Sequence, residues 1–167
     1  MIHKYTILFF ILFVSLTDVI AQNKNIERII NNYSKLDGFT SVQIKDPAKT
    51  LPNMNKDKSK ELKDLLEGVE IIRVLKMDKN KVSSETSNKF INEVSSFNPG
   101  DGFKELLSVK ESGNFVKMHI KEAANKNVSD LLMVAGENKQ VTLIWFNGKL
   151  DLEKLQKSAA ILPHLLR

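Results

Sequence analysis

Two histidines beyond the first few residues, His119 and His164, are the side chains best suited to proton transfer or metal ligation at neutral pH, and nothing joins them. They share no neighbourhood and no metal-ligand spacing. Cysteine is absent. Its absence removes thiolate zinc sites, thiol nucleophiles, iron–sulfur clusters, disulfide frameworks and a lipid on an N-terminal cysteine together. The chain holds no G-x-S-x-G elbow, no H-E-x-x-H, no G-x-x-x-x-G-K-[ST] and no calcium loop of alternating acids. Pro99-Gly100-Asp101-Gly102 comes nearest to a phosphate cradle, but Asp101 sets a negative charge beside the amides an anion would use, so it reads as a helix start. No metal and no cofactor is expected. Carboxylates are plentiful, which leaves a cryptic hydrolase with a paired Asp or Glu as the catalytic alternative.

The candidates for binding sit on one alternating segment. From Phe115 to Lys121, Val116, Met118 and Ile120 point inward, and Lys117, His119 and Lys121 fall on the outward side. These three are the binding candidates, with His119 expected as a solvated face residue. His164 follows Pro163 near the end of the sequence and carries no expected role. Trp145, between Leu143 and Phe146, reads as core rather than as a ligand platform.

The net charge of +5 invites a nucleic-acid reading, but Arg28, Arg73 and Arg167 are the only arginines among 25 basic residues and the lysines are interleaved with acids. That pattern is a solvated lysine surface. Nucleic acid is therefore not an expected partner, and peripheral adhesion to anionic lipid is a second alternative to a binding role.

Export is the reading of residues 1–21. Lys4 precedes an apolar run from Thr6 to Leu16, Asp18 follows it, and Val19-Ile20-Ala21 suits a signal peptidase. The run is well short of the roughly 20 residues a membrane-spanning helix needs. Cleavage is placed after Ala21, leaving residues 22–167 as a single domain without a transmembrane segment, soluble in the periplasm or secreted. A chain of that size buries enough surface to be stable without disulfides.

The elements that must position any site follow from periodicity. Ile26, Ile29, Ile30 and Tyr33 mark a first helix and Phe39 to Lys45 a strand. The polar stretch Ala48 to Lys56 reads as a mobile loop. A helix opening at Asp57 or Ser59 carries Leu62, Leu65 and Leu66 and ends at Gly68. Val69 to Met77 is apolar on both faces and so belongs inside a sheet. A third helix runs from about Ser83 through Phe90, Ile91, Val94 and Phe97, and a short helix from Phe103 to Val109 follows. Phe115–Lys121, Val128–Ala135 and Val141–Phe146 make a meander, Asn147-Gly148 turns the chain, and Asp151 caps a last helix through Leu152, Leu155 and Ala159. The fold class is α+β in two layers: a mixed, mostly antiparallel sheet of about five strands with helices on one face.

The segments NYSKLDGFTSVQI (32–44), LLEGVEIIRVL (65–75), FKELLSVKESGNFVKMHIKE (103–122) and LLMVAGENKQVTLIWFNGKLDLEKL (131–155) resemble the exported bacterial family of domain of unknown function 4252, typical of Bacteroidota-type bacteria. The resemblance lies in hydrophobic pattern and in turn residues such as Gly68, Gly113 and Gly148. It implies an envelope protein with no established enzyme, cofactor or catalytic residue to carry across. Many relatives carry a lipobox cysteine that is missing here, which favours an untethered form. Together these readings point to a non-enzymatic interaction or binding module of the envelope, its partner an envelope protein or a small ligand.

Overall fold

A computed structural model of the chain describes residues 24–51, 59–97, 100, 102–123, 127–151 and 153–154. The leader, most of the last helix, Pro163 and His164 lie outside the described residues. Ten elements follow in order: α1 (Lys24–Tyr33), β1 (Phe39–Lys45), α2 (Pro47–Thr50), α3 (Ser59–Leu66), β2 (Val69–Asp78), α4 (Ser84–Ser95), β3 (Phe103–Glu111), β4 (Asn114–Glu122), β5 (Asn127–Gly136) and β6 (Gln140–Asp151). Among the described residues no helix is long and apolar enough to cross a membrane.

The fold is α+β, with six strands rather than five. They form one sheet in the order β1-β2-β6-β5-β4-β3, and every neighbouring pair is antiparallel. β3 to β6 form the meander. β2 and β3 point the same way although four positions apart, because the chain between them crosses one face through α4 and starts the meander at the far edge.

Helices cover both faces, not one. Along β6 the side chains of Val141, Leu143 and Trp145 enter one core with α1 (Ile26, Ile29, Ile30, Tyr33) and α4 (Phe90, Val94), while Ile144 and Phe146 enter another with Leu65 and Leu66 of α3. Successive strand residues point to opposite faces, so the near-continuous apolar runs of β5 and β6 record a sheet buried from both sides. The α1 stripe fits its burial: Ile26, Ile29, Ile30 and Tyr33 are all buried. Tyr33, Phe39 and Phe90 pack ring against ring at centroid distances of 4.7–5.3 Å. The Tyr33 hydroxyl donates to Glu93 Oε2 at 2.8 Å, and burial first, then Glu93, pushes its pKa up to about 12. Ser83 caps α4 by accepting from the Thr86 N–H.

Three local expectations need correction. Pro47–Thr50, which overlaps the start of the expected loop Ala48 to Lys56, is a single helical turn, and residues 52–58 lie outside the described ones. Phe103–Val109 is the first part of strand β3, not a helix. Its register shifts between Glu105 and Leu107, so Leu106 is a bulge residue. The extra residue breaks the strand alternation and leaves Phe103, Leu106 and Leu107 at i, i+3 and i+4, which imitates a helix. Finally, Asn147-Gly148 does not end a strand: β6 runs on to Asp151, with a bulge at Gly148 and Lys149 opposite Ser129 of β5. Asp151 does act as a cap: its Oδ1 accepts from the N–H groups of Glu153 and Lys154 at 2.8 and 3.2 Å.

Candidate functional site

The bulges at the start of β5 and the end of β6 gather polar side chains that the sequence scatters. β5 reads NVSDLLMVAG, and its one acid, Asp130, is only 3 % exposed. The register places Asp130 opposite Asn147 on one side and Lys121 on the other. Trp145 Nε1–H and Asn147 Nδ2–H donate to Asp130 Oδ1 at 2.9 and 2.8 Å, and Ser129 Oγ–H donates to Oδ2 at 3.0 Å. A buried carboxylate with three donors is satisfied rather than reactive.

Beside this hub the starts of β2 and β5, the end of β6 and Ala123 just beyond β4 border an open cleft of about 540 Å³, lined chiefly by Glu70, Asn127, Ser129, Asn147 and Lys149. The volume falls in the usual range for small-molecule sites. Ser129 and Asn147 thus serve both the hub and the wall. The wall is closed by a near-contact of β2 and β6, where the Lys149 N–H donates to the Gly68 carbonyl at 2.7 Å.

A second polar chain runs across the same face. In register from β2 to β3 lie Arg73, Trp145, Leu132, His119 and Glu105. The Arg73 guanidinium stands 5.5 Å from the centroid of the Trp145 ring and 3.6 Å from Glu27 of α1. Sequence reading missed Asp130, Ser129, Asn147 and Arg73 as members of one arrangement. The available signal was a lone acid inside an apolar strand, which has to find donors when it is buried.

Lys117, His119 and Lys121 do share one face of β4, as the alternation implies, but that face is covered. His119 is 8 % exposed rather than solvated, because Leu132 beside it belongs to the α1–α4 core and the side chain is packed with it. Its Nδ1 is buried without a hydrogen-bond partner among the described residues, and its Nε2 lies 3.8 Å from Glu105 Oε2. Lys117 and Lys121 are half-buried. None of the three is among the cleft residues named above. Among the described residues no group of His, Asp and Glu is arranged to hold a metal ion.

Burial pushes the His119 pKa below 6.5, helped by Lys117 and opposed by Glu105. The ring is therefore neutral at pH 7 and meets Glu105 as a dipole. An unfolded chain takes up this proton near pH 6.5 while the native one does not, so stability is highest above that pH and declines as pH falls toward the native pKa. Urea midpoints of the wild type are expected to drop between about pH 7 and about pH 5 by more than those of His119→Leu. Equal drops in the two proteins would refute the assignment.

A family model described as "Domain of unknown function (DUF4252)" matches residues 33–158, which span β1 to β6 and every residue of the cleft. Comparison with the curated proteins and with the solved structures returns no match.

Proposed function

The chain belongs to the domain of unknown function 4252 family, and from that premise we propose that it acts as a non-enzymatic binding module exported to the bacterial envelope, with the β5–β6 cleft as the seat of a small polar ligand. The observation that carries the reading is Asn147. It is one of the residues that line the cleft, and its side chain is pinned to Asp130 at 2.8 Å. A wall held in this way offers amide and hydroxyl groups that need little ordering when a ligand arrives.

Two further points support it. Glu70 is the one carboxylate among the described lining residues, so a paired-carboxylate hydrolase would need its second acid from elsewhere. The leader pattern of residues 1–21 supports export.

The test begins with the full-length sequence expressed in a bacterium with two membranes. Mass spectrometry of the periplasmic fraction is expected to give a chain starting at Gln22, and an intact Met1 in the cytoplasm would overturn the export reading. That protein is then titrated by NMR with envelope saccharides and short peptides. Shifts confined to residues 127–129 and 147–149, weakened by Lys149→Ala, are expected. A panel without localised shifts, or ester or glycoside turnover abolished by Glu70→Gln, would overturn the binding role.

A further inference from the structure

β3 is an edge strand whose composition is unusual for an edge. Among the described residues no strand pairs with its outer side. Leu106, Leu107 and Val109 are 50, 42 and 46 % exposed, and along the strand only Phe103 is even half-buried. A nine-residue edge with three exposed aliphatic side chains and free backbone groups is a template for strand addition. The opposite edge, β1, has a single charged residue, Lys45, and one exposed large apolar side chain, Val42.

The charges of β3 identify what fits it. Lys104 and Glu105 open the strand, and Lys110 and Glu111 close it. Reversing the strand against itself pairs unlike charges at both ends, provided that the paired side chains share a face. In an unbroken strand they would not, because that reversal would set Leu107 against Ser108 on opposite faces. The bulge at Leu106 corrects this. The register with β4 puts Lys104, Leu107, Val109 and Glu111 on the face of Ile120 and Met118, and Glu105, Ser108 and Lys110 on the face of His119. With Leu106 looped out of the count, Lys104 meets Glu111, Glu105 meets Lys110, Leu107 meets Val109, and Ser108 meets itself. Each pair lies on one face. Sliding the copies by one pair in either direction leaves no Lys–Glu pair.

We propose that the chain forms a two-fold dimer by antiparallel pairing of β3 with β3 of a second copy, with Ser108 on the axis. The two sheets become one, and Leu107 and Val109 of both copies cover each other beside Val116 and Met118. Each Lys–Glu pair occurs twice by symmetry, as an isologous interface requires. Lys104 also meets Glu122 of its own chain at 2.6 Å, so the carboxylates of Glu122 and of the second copy's Glu111 would flank one ammonium group. Among the described residues neither Lys110 nor Glu111 has an ion-pair partner within its own chain. The bulge and the lysines that guard many edges against aggregation here select one register.

The absence of cysteine makes the test clean. Protein produced from the full-length sequence is expected to sediment as a dimer. Under mild oxidation Ser108→Cys should cross-link into a covalent dimer, because directly opposed residues of antiparallel strands have Cα atoms about 4.5–5.5 Å apart, within disulfide reach. Lys110→Cys, which faces Glu105 of the other copy, should cross-link far more slowly. Lys110→Glu is expected to weaken the dimer roughly tenfold, since two like-charge pairs replace two attractive ones. Glu105→Lys combined with Lys110→Glu should recover most of the loss. A wild type that sediments as a monomer, or a dimer in which Ser108→Cys and Lys110→Cys cross-link equally, would overturn the proposal.

Discussion

Replacement of Asp130 by alanine is expected to cost about 3 kcal/mol, because the change strands one buried and one half-buried donor and leaves a space in the sheet. The indole N–H of Trp145 and the amide of Asn147 both end on Asp130 Oδ1, and Trp145 is 4 % exposed, so water cannot readily take the place of the lost acceptor. Asp130→Asn keeps an oxygen for those two donors and can turn its own amide toward the Ser129 hydroxyl. Its cost should be nearer 1 kcal/mol. Trp145 is the only tryptophan in the chain, so its fluorescence reports on this site directly during urea unfolding. Asp130→Ala should lower the midpoint and red-shift native emission. A midpoint within error of the wild type would remove Asp130 from its central place.

Gly148→Ala is the second large effect. Gly148 has φ +126°, a conformation that L side chains rarely adopt, and an added Cβ would lie 2.5 Å from the Gly68 oxygen, 2.6 Å from the Glu70 nitrogen and 2.9 Å from the Val69 Cα. All three are backbone atoms, so no side chain can swing away. The strands must part, and with them the Lys149-to-Gly68 hydrogen bond that closes the cleft. A loss of about 3 kcal/mol is expected, seen as a melting temperature lower by about 10 °C. Gly113 supplies the control: its φ is +85° but nothing lies within 4 Å of an added Cβ. Gly113→Ala should therefore cost only the conformational strain, about 1 kcal/mol. Equal losses at the two glycines would show that conformation, not the approach of β2 and β6, is what Gly148 answers.

These two positions also show how far the sequence could be read. The turn character of Gly148 was legible, but its place inside a strand was not, because a bulge and a turn call for the same residue types. Asp130 was visible as a letter in an apolar run. Two of its three donors lie 15 and 17 residues away on β6, and only strand pairing brings them to it. His119 was placed on the correct face of β4 and given the wrong environment, since alternation says which residues share a face but not what covers it.

The sequence by itself determined the helical stripes of α1, α3 and α4, the start of α4 near Ser83, the bounds of β1, the Asp151 cap, and the exclusion of all thiol chemistry. Each depends on residues within about one turn of one another or on composition alone, and short-range physics acts before any fold exists. Tertiary structure decided the rest: the order of six strands, the covering of both faces, the bulged edge at β3 and the carboxylate hub. Those features are relations between strands, and a hydrogen bond across a sheet is indifferent to how many residues separate its ends.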